Sequence, residues 1–105
     1  MIVTFEEKYL QELYETGKTT EKKHRFQPGV AKKYKYCIDL MKNVADTDGL
    51  KRYNGLNFEK LTGDKKELYS IRVNLQYRIE FTAKSDGIEP TLTICNIEEL
   101  SNHYK

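Results

Sequence analysis

Two arginines, Arg72 and Arg78, stand where ordinary strand pairing sets them face to face. In residues 68–73, Tyr69, Ile71 and Val73 alternate with Leu68, Ser70 and Arg72. In residues 77–82, Tyr77, Ile79 and Phe81 alternate with Arg78, Glu80 and Thr82. Period-two alternation marks half-buried strands. If both apolar sets face one core, Val73 lies opposite Tyr77 and Ile71 opposite Ile79. The loop between them is then Asn74-Leu75-Gln76, and Arg72 falls opposite Arg78 on the other face. Like charges directly opposed destabilise a sheet. Such a hairpin either neutralises its guanidiniums with carboxylates, Glu80 and Glu67 being the nearest, or holds them for an anion. The chain carries no glycine-rich phosphate loop, GxSxG elbow, HExxH or CxxC. Its two cysteines and two histidines are too scattered for a zinc site. No metal or cofactor is therefore expected.

Residues 61–81, LTGDKKELYSIRVNLQYRIEF, resemble the central signature of the RelE/ParE superfamily of bacterial toxins, in its HigB-like branch. That signature is a Leu-x-Gly turn, a Tyr/Trp-Ser-Ile-x-Val strand and an aromatic-Arg-Ile-x-Phe strand. Here these are Leu61-Thr62-Gly63, then Tyr69 to Val73, then Tyr77 to Phe81. The start MIVTFEEKYLQELYETG and the end NHYK look like the family's opening strand and helix and its terminal His/Tyr pair. Residues 18–57 match it most loosely.

The resemblance implies a ribosome-dependent mRNA endoribonuclease that inhibits translation. In that reaction the RNA's own 2′-oxygen attacks the adjacent phosphorus and the 5′-oxygen leaves, without a metal. The protein removes one proton, supplies another and stabilises a dianionic phosphorane. By resemblance Arg78 is the phosphate clamp, and His103 with Tyr104 serves proton transfer or base stacking. The family often has a lysine immediately before the glycine of the turn. Thr62 stands there instead, so Lys60 or Lys65 is expected to take the charge-stabilising or general-base part. Arg72, Lys65, Lys66, Arg52, Lys22, Lys23 and Arg25 are the expected RNA contacts, binding phosphate in a salt-dependent way. His24, in the basic connector, reads as a solvated side chain or RNA contact. Tyr53 and Tyr69 could stack on bases, Tyr69 more naturally serving the core. The implied partners are mRNA on the ribosome and a cognate HigA-like helix-turn-helix antitoxin, in a system associated with plasmid maintenance. The oligomeric state stays open. Two rival readings also stay open: a ParE-like inhibitor of DNA gyrase without catalysis, and a degenerate RNA- or protein-binding module, which Thr62 favours.

The elements that must position these residues follow from patterning. At 105 residues with a net charge of +2, the chain is expected to form one domain, residues 1–105. Its charge is uneven. Residues 18–35 hold seven basic side chains against the single acid Glu21, and residues 51–78 hold seven more against Glu59, Asp64 and Glu67. Such asymmetry suits a polyanion or an acidic partner. No apolar run approaches the ~20 residues of a membrane span, and the acidic start reads as no signal peptide. With Cys37 and Cys95 at core-compatible positions, a reduced, cytoplasmic protein is expected.

Ile2–Phe5 reads as a strand, with Thr4 as the cap of a first helix that carries Tyr9, Leu10 and Leu13 and ends at Gly17. Pro28 opens the longest helix, whose stripe includes Val30, Ala31, Tyr34, Cys37, Ile38, Met41, Val44 and Ala45. Asn54-Gly55 marks a turn. Residues 57–61 are expected as a strand with Phe58 and Lys60 on opposite faces. The hairpin follows, then the turn Ser85-Asp86-Gly87. Residues 91–97 form the last strand, with Leu92 and Ile94 on one face. The expected fold is α+β and RelE-like: an antiparallel sheet of about four strands with two N-terminal helices on one face. Arg78→Ala is expected to hold stability or raise it slightly, within roughly ±0.5 kcal/mol, because Arg78 projects from a solvent-open, basic face and its loss relieves repulsion with Arg72.

Overall fold

The structure is a computed structural model and describes residues 1–62, 67–88 and 91–102. Strand β1 (Ile2–Phe5) leads into helix α1 (Lys8–Thr16), helix α2 (Pro28–Asn43) and the short helix α3 (Thr47–Leu50). Strands β2 (Glu59–Lys60), β3 (Tyr69–Arg72), β4 (Arg78–Ser85) and β5 (Thr93–Ser101) follow. They form one five-stranded sheet in the order β1-β5-β4-β3-β2. The sheet is mixed and not purely antiparallel: β1 runs parallel to β5, with Ile2 beside Ile94 and Phe5 beside Ile97.

The helices form as their patterns dictate. Gly17 ends α1 in the left-handed conformation, φ 78°, and its N–H donates to the Leu13 carbonyl at 2.9 Å. Glu7, not Thr4, flanks the start of α1, and no side chain caps it. Thr4 is already committed to β1, where its hydroxyl donates to the Asn96 side chain at 2.8 Å. Helix α2 begins at Pro28 but stops at Asn43, before Val44 and Ala45. Asp46 then caps α3 by accepting from the Gly49 N–H at 3.2 Å. The buried Tyr34 hydroxyl donates to the Leu10 carbonyl at 2.9 Å, and the Tyr14 hydroxyl donates to Asp39 at 2.6 Å, so α1 and α2 are pinned to each other.

The core lies between these helices and one face of the sheet, with Leu10, Leu13, Ile38, Met41, Ile71, Ile79, Phe81, Cys95 and Ile97 fully or nearly fully buried. Burial pushes both thiols, Cys37 and Cys95, up to about 11, so neither is a ready nucleophile. The hairpin register is the one that parity requires: Ile71 opposite Ile79 and Arg72 opposite Arg78, with the Val73 N–H donating to the Tyr77 carbonyl at 3.0 Å. The last strand differs from expectation. Cys95 and Ile97 face the core, while Leu92 is exposed. A bulge between Glu80 and Phe81 pairs Phe81 with Ile97 but Glu80 with Glu99. That extra residue inverts the parity of β5, so Leu100 is buried as well as Ile97.

Candidate active site

The non-core face of the sheet carries two rows of polar side chains. Glu59, Ser70, Glu80 and Glu99 pair across β2, β3, β4 and β5 in one row, and Arg72, Arg78 and Ser101 form the next. Three carboxylates thus share a face with two guanidiniums. Arg78, Glu80, Ser70 and Ser101 are all buried. The expectation of a solvent-open, basic face is therefore corrected: among the described residues the face is mixed in charge, and Arg78 is only 7% exposed.

Its burial has a local cause. Asn54–Leu56 makes a single 3-10 turn anchored by the buried Leu56, and Asn57 closes it in the left-handed conformation, φ 45°. Asparagine tolerates that region better than most residues. The turn brings the Asn57 carbonyl onto the guanidinium, where it accepts from Arg78 Nη2 at 2.5 Å. From the neighbouring strand, Ser70 Oγ accepts from Arg78 Nε at 2.9 Å, and the Ser70 carbonyl accepts from Nη2 at 3.4 Å. Glu59 Oε1 lies 3.6 Å from Nη2. With its amide oxygen turned toward Arg72, the Asn57 side chain accepts from Arg72 at 2.8 and 3.2 Å. One asparagine therefore serves both arginines. These contacts help the opposed pair to be tolerated: neutral acceptors orient the guanidiniums, and the Glu59 carboxylate lies within ion-pair distance of Arg78. The site therefore holds an oriented guanidinium beside a carboxylate. Glu59 is 54% exposed against 9% for the Arg78 side chain, so the ion pair has one solvated and one buried partner.

A family model described as RelE-like toxin of type II toxin-antitoxin system HigB matches residues 3–91. The chain belongs to this HigB-like toxin family. Among solved structures, it is similar to a YoeB/ParE toxin from Agrobacterium tumefaciens, with a TM-score of 0.57 and 19% sequence identity over 99% of this chain and 100% of that one. At that identity the likeness concerns the fold. No curated protein matches the sequence.

This HigB-like toxin brings some expected site residues together and separates others. Arg72 and Arg78 meet at Asn57. Lys60 does not join them: it pairs with Tyr69, whereas its neighbour Glu59 pairs with Ser70, so Lys60 belongs to the opposite face from Arg78. Its relation to Phe58 is also revised. Phe58 stacks on Tyr69 with ring centroids 5.4 Å apart, and Tyr69 stacks on Phe81 at 5.9 Å, so Phe58, Tyr69 and Lys60 share the core side. Arg52 is exposed just after α3. Lys22 and Lys23 sit in an exposed 3-10 turn, Lys22–His24. Arg25 lines a separate groove with Leu13, Lys18, Phe26 and Pro28. His24 is a structural clip: its ring stacks on Tyr9 at 3.7 Å, and Nδ1 lies 2.5 Å from Glu21. Lys65, Lys66, His103 and Tyr104 lie outside the described residues.

Sequence reasoning missed Glu59, Ser70 and Asn57. Ser70 was available from parity, since it shares the face of Arg72. Asn57 follows the Asn54-Gly55 turn signal, but only its tertiary approach reveals its part. Among the described residues, no group of three or more His, Cys, Asp or Glu side chains is placed to hold a metal. No helix among them is long and apolar enough to cross a membrane.

Proposed function

We propose that this HigB-like toxin is a ribosome-dependent mRNA endoribonuclease centred on Arg78. The observation that carries the reading is the Arg78 guanidinium, fixed by Ser70 and Asn57, with the Glu59 carboxylate 3.6 Å away. Cleavage by 2′-hydroxyl attack needs a proton acceptor and a preorganised cation. Glu59 takes the proton from the 2′-hydroxyl, and Arg78 donates to the non-bridging oxygens as negative charge develops on phosphorus. An oriented donor at that position contributes about 3–4 kcal/mol, and a positioned base about 10²–10⁴-fold. His103 or Tyr104 protonates the leaving 5′-oxygen. Arg72 holds a neighbouring phosphate. Lys60, Lys65, Lys66, Arg52, Lys22, Lys23 and Arg25 supply further phosphate contacts along the RNA.

The family is one of type II toxins, which implies an antitoxin partner. We take that partner to be a HigA-like helix-turn-helix protein. Its acidic side chains would compete with RNA for the same cations.

Induction in a bacterium tests the reading against gyrase inhibition. Translation is expected to stop before DNA replication, and co-expression of the antitoxin to restore growth. Replication stopping first would favour a gyrase inhibitor, and arrest of neither would leave a non-toxic binding module.

A further inference from the structure

Beside the Arg78 site, at the edge where β3 runs past the end of β2, lies a groove of about 300 Å³ between α2 and the Asn54–Leu56 turn. Tyr36 and Tyr53 face it from its two sides, 55% and 45% exposed, over an apolar floor that includes Leu40 and Leu56. Lys33 and Arg72 line the same groove, and Lys33 Nζ sits 5.0 Å from the centre of the Tyr36 ring. No aspartate or glutamate is among its described lining residues.

These features select a ligand. Large aromatic rings left half exposed on two separate elements are costly to hydrate, and most of this protein's other rings are packed: Tyr69, Phe58 and Phe81 stack on one another. Two cations without an acid favour an anion. A flat, apolar group attached to a phosphate satisfies both demands, and an unpaired nucleotide is such a ligand. The groove is also continuous with the proposed cleavage site, because Arg72 lines it while standing opposite Arg78 and sharing Asn57 with it.

We infer that the Tyr36–Tyr53 groove is a base-stacking subsite for one unpaired nucleotide of the RNA substrate, with Arg72 and Lys33 taking the adjoining phosphate. This rests on the reading of Arg78 as an RNA-cleaving centre and adds to it how the strand is held in register. The base stacks on a tyrosine face, a contact that every base can make, so the subsite confers grip more than sequence choice.

The test measures binding apart from cleavage. A short single-stranded RNA made uncleavable by 2′-O-methylation is titrated against the full chain by fluorescence anisotropy. Tyr36→Ala and Tyr53→Ala are expected to weaken binding roughly tenfold to a hundredfold, the loss typical of removing one stacking ring. Tyr36→Phe and Tyr53→Phe should bind like the parent. A strand with one abasic nucleotide at the subsite should lose as much affinity as the alanine variants, and the two losses should not add. Both rings are exposed, so melting temperatures should stay near the parent's. The inference is overturned if the alanine variants bind RNA within twofold of the parent. It is equally overturned if abasic substitution costs nothing at any position, or if the variants lose only the antitoxin. On programmed ribosomes the alanine variants should raise KM more than they lower kcat. A parent that cleaves nothing defeats the endoribonuclease reading, whereas a cleaving parent matched by its alanine variants defeats only the groove.

Discussion

Replacing Arg78 with alanine removes a side chain that is 9% exposed and hydrogen-bonded to Ser70 and Asn57. Three acceptors on two residues then lose their donor, in different settings. Ser70 is fully buried, so its hydroxyl and carbonyl must find other partners or go unsatisfied, at about 1–3 kcal/mol for such a group. Asn57 is exposed, and water can replace the lost bond at little cost. The buried Glu80 shares that face and loses a nearby cation. Relief of repulsion with Arg72 returns under about 1 kcal/mol. The net expectation is a loss of about 2–4 kcal/mol, well beyond the roughly ±0.5 kcal/mol of a surface change. For a domain near 100 residues this lowers the melting temperature by about 10–25 °C. Arg78→Lys keeps the charge and can reach one acceptor, so it should lose about half as much. The assay is urea unfolding followed by circular dichroism, with the slope compared to ensure that the same surface is exposed. An alanine variant within about 0.5 kcal/mol of the parent would refute the buried, hydrogen-bonded account and restore the solvent-open one.

Two further outcomes follow from the fold. Gly17 ends α1 at φ 78° with nothing within 4 Å of where a Cβ would sit, so Gly17→Ala tests backbone strain alone. It should cost about 1 kcal/mol, Gly17→Asn distinctly less, and equal stability of the three in urea would count against the left-handed cap. Cys37 and Cys95 are pushed by burial from 9.0 up to about 11, so the unfolded chain releases these protons first as pH rises. Their contribution to stability is therefore intact below about pH 9 and declines between about 9 and 11. Unfolding free energies that stay level through that range would contradict it, as would rapid labelling of both thiols in the native protein.

Much of the frame was legible in local pattern. Alternation in the hairpin fixed parity, and parity fixed both the Asn74-Leu75-Gln76 loop and the Arg72–Arg78 pairing. Gly17 and Pro28 marked helix ends because each has a backbone preference of its own. What stayed hidden depends on long-range contact. The parallel pairing of β1 with β5 joins strands about ninety residues apart. The β5 bulge inverts a parity that the unbroken sequence pattern cannot reveal. Thr4 suits a helix cap as well as a strand, and only its pairing with Asn96 decides between them. Parity showed that Arg78 leaves the core side, but not that Asn57 and Ser70 would enclose it. Lys60 drew attention for its charge, whereas the strand register gives the shared face to Glu59.

The central claim is that Arg78 and Glu59 act together on RNA. The most direct measurement is single-turnover cleavage of mRNA on programmed ribosomes, with the folded fraction of each variant fixed from its unfolding curve. Glu59→Gln keeps the size and hydrogen-bonding reach of the side chain but cannot accept the proton. This variant is expected to cleave about 10²–10⁴ times more slowly than the parent. Arg78→Lys, whose ammonium offers a point charge in place of the fixed fork, should lose about 10²–10³. Cleavage by Glu59→Gln at the parent's rate, or intact mRNA with the parent protein itself, would contradict it.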